Sequence, residues 1–142
     1  MPTTPTVTPA DLRARGEEFA QFWTERHLCT ITTLRRDGSP HLVPVNAVLD
    51  LDTAIVRVLT SGHSAKARHV RAAGEGGARV AVNQVERRRW STLEGLAVVR
   101  DDPAVVADAE ERYARRYQAP RVNPARVILE IAVTRVLGSR GL

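Results

Sequence analysis

The sequence predicts a mainly β protein, a small barrel of about six strands with two or three helices on its flanks. Three observations carry this expectation. Short apolar runs recur between Leu28 and Leu137 at the spacing of an antiparallel meander. The breaks between them are short and rich in turn residues, Asp37-Gly38 above all. The runs are also apolar on both faces, which a one-sided sheet cannot accommodate, so they require a closed barrel or a buried dimer face.

Thr8-Pro9-Ala10-Asp11 supplies an N-cap, a proline at the first helical position and an early acid. Leu12, Phe19, Phe22 and Trp23 then share one face, which predicts a single amphipathic helix ending near His27. Leu28 to Leu34 is the first strand and Pro40 to Leu49 the second, joined by Arg35 to Ser39. Asp50 to Thr53 makes the next tight connection, and Ala54 to Leu59 the third strand. Ser64 to Ala73 is a short helix closed by the glycine-rich break at residues 74–77. Ala78 to Val85 and Trp90 to Val99 are the fourth and fifth strands around an Arg-rich turn. Asp102-Pro103 repeats the helix-start signature, and Val106, Ala109, Tyr113 and Tyr117 recur at helical spacing. After a proline-bounded loop, Val127, Leu129, Ile131 and Val133 alternate with polar residues along the final strand, Ala125 to Leu137.

At 142 residues, 43% of them apolar, the chain has the size and composition of one globular domain. Residues 1–8 are Thr/Pro-rich, with neither the basic nor the apolar region of a signal peptide. They are expected to form a disordered lead-in to a domain spanning residues 9–142. No apolar run approaches the ~20 residues of a membrane helix, so a cytoplasmic protein is expected. Cys29 is the single cysteine and lies in an apolar run, which excludes an intrachain disulfide. His27, His41, His63 and His69 form no ligand-spaced pair, so no metal site is expected. A net charge of +5 favours anionic partners. An aromatic content of 4% is thin for stacking bases and argues against nucleic acid.

Hydrolytic and nucleotide signatures are absent: no G-x-S-x-G, no Walker A loop and no H-E-x-x-H. The candidate for chemistry is Thr60 to Arg71, a strand end, a small hydroxyl-bearing turn and a helix start that carries Lys66, the only lysine in the chain. Free N–H groups, the helix dipole and an ammonium all favour a phosphate there. The same residues equally suit a plain Ser64 N-cap followed by a solvated Lys66. A phosphate site without reactive side chains of its own fits a protein that leaves the chemistry to a cofactor.

These residues resemble the pyridoxamine-phosphate-oxidase-like split barrels. Strand 54–60 followed by Ser64-Ala65-Lys66 is similar to their phosphate-binding element. Three further segments are similar to the flavin/deazaflavin oxidoreductases that use coenzyme F420, and most similar to the actinobacterial F420-dependent biliverdin reductase group. They are Ile31 to His41, Arg89 to Gly95, and Arg112 to Tyr117 together with Pro120-Arg121 and Asn123-Pro124. The resemblance spans nearly the whole chain after residue 20. It implies a homodimer of split β-barrels with cofactor sites at the subunit interface.

On that resemblance Arg57, Thr60, Ser64 and Lys66 hold the cofactor phosphate. The stretch His41, Val43, Pro44, Val45 and Asn46 runs along the ring, while Gln84, Trp90 and Ser91 line the same pocket, part of it from the partner. Asn46 departs from the pattern, which has a small residue there. The implied function is an F420-dependent reductase passing hydride to a conjugated, anionic acceptor such as biliverdin, with an arginine or a water as proton source. The alternatives are FMN as cofactor, or a non-catalytic carrier of F420, FMN or haem.

Overall fold

The computed structural model describes residues 6–142. Helices α1 (Pro9–Ala14) and α2 (Glu17–Thr24) precede strands β1 (Cys29–Leu34), β2 (Pro40–Val45), β3 (Ala47–Asp50) and β4 (Ile55–Ser61). Helix α3 (Ala65–Ala72) leads into β5 (Ala78–Glu86) and β6 (Arg89–Arg100), and α4 (Pro103–Arg116) into β7 (Arg126–Gly138). All seven strands form one antiparallel sheet in the order β2-β1-β5-β6-β7-β4-β3.

That order explains the curl of the sheet. The two edge strands, β2 and β3, are consecutive in sequence and separated by Asn46 alone. In a flat sheet with strands about 4.8 Å apart, the two edges would stand roughly 29 Å from each other. One residue spans only about 3.8 Å. The sheet therefore curls into a half-barrel whose edges meet at Asn46. The second strand expected over 40–49 is thus two strands, its first half paired with β1 and its second with β4. Pro44 lies in an edge strand, where a missing N–H is tolerated.

Inward-facing positions alternate along each strand, and Cys29, Ile31, Val56, Val58, Val82, Leu93, Leu129, Ile131 and Val133 fill the interior. Helix α2 adds Phe19, Phe22 and Trp23, all buried. The single N-terminal helix expected to reach His27 is instead two, because Gly16 takes φ 98° and breaks the run; α2 ends at Thr24. Residues 1–5 of the expected lead-in lie outside the described residues. Val7 N–H donates to Val133 O at 3.0 Å, and Val7 packs on the core. The β6–β7 register shifts between Glu94 and Gly95, where a Cβ on Gly95 would collide with the Ala132 carbonyl.

The seam beside Asn46 is bolted from inside by α4. Arg116, buried in the last turn, donates to Ala47 O (2.5 Å), Glu25 O (2.9 Å) and Gln84 Oε1 (2.7 Å). Gln84 Nε2 in turn donates to Phe22 O at 2.8 Å. The Tyr117 hydroxyl lies 2.8 Å from Ala47 O and 2.9 Å from His27 O. Burial, reinforced by the neighbouring Cys29, pushes that phenol's pKa well above its usual range.

Candidate functional site

The site grows from the end of β4. Thr60 faces inward at the barrel rim, and its hydroxyl donates to Ser64 Oγ at 2.9 Å. Ser64 Oγ also accepts Ala67 N–H at 3.2 Å and so caps α3. The turn between them is pinned from the far side: Gly62 N–H donates to Ala125 O (2.8 Å), and Asn123 Nδ2 donates to Ser61 Oγ (3.0 Å). This places Lys66 in the first turn of α3, half-buried and without a hydrogen bond or ion pair to any described residue. Burial lowers its pKa from the ordinary lysine value.

Lys66 lines a cleft of about 400 Å³. One wall is Pro44, Val45 and Asn46 at the barrel seam, and the other is Leu59, Thr60 and Ser61. Tyr113 of α4, with Arg121, Asn123 and Arg126 from the loop and strand beyond it, closes the third side. Asn46 Nδ2 donates to the Tyr113 hydroxyl oxygen at 2.9 Å, tying the seam to α4. Arg126 is held by Glu110 at 2.5 Å. Among the described residues, no Asp, Glu, His or Cys lines the cleft. Its chemistry is therefore cation, hydroxyl and amide, a donor set suited to an anionic phosphate with a polar ring beside it.

Five of the residues expected from the sequence meet here: Thr60, Lys66, Pro44, Val45 and Asn46. Ser64 stands behind them as the cap of α3, the N-cap role that its sequence position suits. Others lie elsewhere. Arg57 is on the outer face of β4, where it and Arg112 each place an Nη1 3.3 Å from Asp50 Oδ2. Burial opposes ionisation of Asp50, but hydrogen bonds from Thr53 and Asp52 and the charges of Arg112 and Arg57 outweigh it and lower its pKa. His41 turns toward α3, its ring 5.1 Å from that of His69, with its Nδ1 buried and unbonded. Val43 packs against the core.

Gln84 belongs to the buried Arg116 network rather than to a cleft wall. Ser91 is buried too, accepting Trp23 Nε1–H at 2.9 Å. Trp90 is partly exposed at the β5–β6 hairpin, its N–H on Ser139 Oγ at 3.0 Å. Of these three, expected in one pocket, Gln84 and Ser91 are register partners on the buried face of β5 and β6, whereas Trp90 lies on the exposed face. Tyr113, Arg121 and Asn123 are site residues that the sequence does not single out, although their segments are among those carrying the resemblance. Among the described residues one cluster has metal-ligand types, Glu25, His27 and Glu86. There the imidazole itself bridges the carboxylates at 3.1 and 3.2 Å, and Arg89 reaches Glu86 at 3.0 Å.

The family profile described as pyridoxamine 5'-phosphate oxidase matches residues 16–140. The chain is 48% identical over 127 residues to an F420H(2)-dependent biliverdin reductase of Mycobacterium tuberculosis (strain CDC 1551 / Oshkosh), covering 89% of this chain and 90% of that protein. Among solved structures, one named F420 reductase superposes with a TM-score of 0.67 at 20% identity, over 86% of this chain and 98% of the other. A conserved hypothetical protein from Mycobacterium tuberculosis gives 0.71 at 21% identity, over 97% of this chain and 88% of the other. At such identities the two structures speak for the fold.

Proposed function

The chain belongs to the pyridoxamine 5'-phosphate oxidase family, and from that premise we propose that it is an oxidoreductase that uses reduced coenzyme F420 to reduce a conjugated tetrapyrrole such as biliverdin. The observation that carries the reading is Lys66, a half-buried ammonium with no partner, set at a strand–turn–helix junction in the wall of an open cleft. An uncompensated cation at that depth is costly unless an anion completes it. The half-identical reductase of the same length makes F420 the cofactor to test before FMN.

The residues present fit that cofactor. Lys66 would hold the phosphate, with the Thr60–Ser64 hydroxyls and the α3 N-terminus around it. Pro44, Val45 and Asn46, at the broken edge of the barrel, would lie along the ring. The deazaflavin, when bound, supplies the hydride; the chain supplies binding, orientation and exclusion of water. The net charge of +5 suits a polyanionic cofactor and an acceptor bearing carboxylates.

The working unit is read as a homodimer with its sites at the subunit interface. Two features of the surface support this. A groove of about 510 Å³ on the outer sheet face sets Leu34, Ala81 and Leu96 among Arg79, Glu94 and Arg135, and Leu34, Leu42, Val85 and Trp90 leave apolar area uncovered. Among the described residues no helix is long and apolar enough to cross a membrane, and the lone, buried Cys29 fits a reducing, cytoplasmic setting.

Fluorescence titration of the purified protein with F420 and with FMN tests the cofactor. Binding of F420 in the micromolar range or tighter, followed by bleaching of biliverdin absorbance on adding the reduced form, is expected. Tight FMN binding with no response to F420 would overturn the reading. Binding of F420 without turnover of biliverdin would make the protein a carrier.

A further inference from the structure

Reduction of a conjugated acceptor adds a hydride to carbon and a proton to nitrogen or oxygen. The hydride is the cofactor's contribution, and the proton must come from the protein or from water. Four titratable side chains line the cleft: Lys66, Tyr113, Arg121 and Arg126. Guanidinium groups do not release protons under ordinary conditions. Arg126 is in any case committed to Glu110. Lys66 sits at the anion end of the cleft, beside Thr60 and Ser61. Tyr113 remains.

Its hydroxyl has one function unspent. The oxygen accepts Asn46 Nδ2–H at 2.9 Å, and no described residue accepts its proton. Four residues on, Tyr117 is in the opposite condition, buried with its hydroxyl against two carbonyls. The two rings lean on each other, centroids 5.2 Å apart at 44°, which fixes the Tyr113 ring from behind. The Tyr113 O–H is therefore free to turn toward whatever occupies the cleft.

Building on the reductase reading above, we propose that Tyr113 donates the proton that accompanies reduction of the acceptor, with Asn46 as its positioning residue. The O–H bond of Tyr113 breaks as an N–H bond forms on a pyrrole-type nitrogen of the acceptor. The electron pair stays on the phenolate oxygen, which retains the Asn46 Nδ2–H bond. The acceptor has then gained H⁻ at carbon and H⁺ at nitrogen, and the phenolate recovers a proton from water. Asn46 stands where the family resemblance leads one to expect a small residue. Its amide holds the phenol in place and stabilises the anion left behind.

The test uses the full chain as wild type, Tyr113→Phe, Asn46→Ala and the double variant. Each is titrated with F420, titrated with biliverdin without cofactor while the visible band is followed, and then mixed with reduced F420 and biliverdin in a single turnover. Tyr113→Phe is expected to slow reduction about 100-fold, to change F420 affinity less than about threefold, and to shift the visible band of bound biliverdin. Asn46→Ala is expected to cost about tenfold alone and nothing further in the Tyr113→Phe background, because it acts through Tyr113. Additive losses would make Asn46 a separate structural element and overturn its role.

A Tyr113→Phe rate equal to wild type would overturn the proposal while leaving the reductase reading intact. A wild type that neither binds F420 nor reduces biliverdin removes both. Should Tyr113→Phe fail to fold, Asn46→Ala decides, an unchanged rate with that variant overturning the proposal.

Discussion

Arg116 and Lys66 are both cations drawn out of water, and the fold treats them in opposite ways. Arg116, 8% exposed, has no carboxylate partner among the described residues, yet its donors are spent on the carbonyls of Glu25 and Ala47 and on Gln84 Oε1. The guanidinium also lies 5.5 Å from the Trp23 ring centroid and 5.1 Å from that of Tyr117. Lys66 is less buried but has no described partner at all, and burial lowers its pKa. A cation whose every nitrogen donates a hydrogen bond has become scaffold. One whose donors are unused, in the wall of a cleft, stabilises nothing until an anion arrives. The difference separates two parts of one seam: its interior, held shut by Arg116 of α4, and the cleft beside it, left open for a ligand.

The largest effect expected from that contrast is at the seam. Arg116→Met keeps length and bulk but strands the part-buried Glu25 carbonyl and leaves Gln84 Oε1 only the Cys29 thiol at 3.5 Å, while Tyr117 can still serve Ala47. One acceptor left unpaired, at about 1–3 kcal/mol, and a second left to a weak thiol donor give a loss of roughly 2–4 kcal/mol. Urea denaturation measures it directly. A loss under about 1 kcal/mol would mean the seam does not depend on this residue, and the contrast would collapse.

At the rim the signs reverse. Lys66→Ala should leave stability within about 0.5 kcal/mol of wild type, or raise it, because an unpaired half-buried charge has been removed. F420 affinity should fall by about 1–3 kcal/mol, the loss of a charge-assisted contact. A variant that is destabilised as much as Arg116→Met yet binds F420 normally would return Lys66 to the scaffold.

Arg57 sharpens the comparison as an intermediate case. The resemblance puts it on the cofactor phosphate, but it is paired with the nearly buried Asp50, which Arg112 shares. Arg57→Met should cost about 1 kcal/mol, since Asp50 keeps Arg112 and the backbone N–H of Asp52. F420 affinity should be unchanged within about twofold. A drop in affinity comparable to that of Lys66→Ala would place Arg57 back on the ligand.

The periodic parts of the scaffold are readable in the sequence and its exceptions are not, for physical reasons. Alternation in Val127, Leu129, Ile131 and Val133 reports a strand because each position sees only its own face of the sheet. Thr8-Pro9 and Asp102-Pro103 announce helix starts because capping is local, and both caps are present as read. The break at Asn46 is not local. Val43 to Leu49 reads as one continuous strand, and only the meeting of two distant sheet edges bends it. Arg116 beside Arg115 in a last helical turn reads as solvated surface, since nothing nearby in sequence announces Ala47 or Gln84. The site divides the same way. Thr60, Ser64 and Lys66 are legible as one strand–turn–helix unit, whereas Tyr113 reaches the cleft only because α4 crosses the seam.

A fourth position, His69, adds the case of a charge that the fold disfavours, and its effect should be the smallest. His69 lies on α3 and bonds Thr33 Oγ1 through Nδ1 at 2.8 Å. Partial burial lowers its pKa, and the nearby His41, Arg35 and Arg68 lower it further. The groups facing it are therefore a hydroxyl from β1, an imidazole from β2 and two arginines, with no carboxylate among the described residues. Its folded pKa lies below the unfolded value of 6.5, so in that window the unfolded chain binds more protons. The contribution is complete above pH 6.5 and is lost progressively as pH falls below it, levelling once the folded pKa is passed. Asp50 works in a separate window: its depressed pKa gives stability that is lost only as pH falls below 3.8. Melting temperatures of wild type and His69→Gln between about pH 8 and pH 5 isolate the histidine. The wild type should lose more stability across that range than the variant, with the divergence starting near pH 6.5. Parallel curves would show that protonating His69 costs the fold nothing, and the helix that carries Lys66 would then be docked independently of pH.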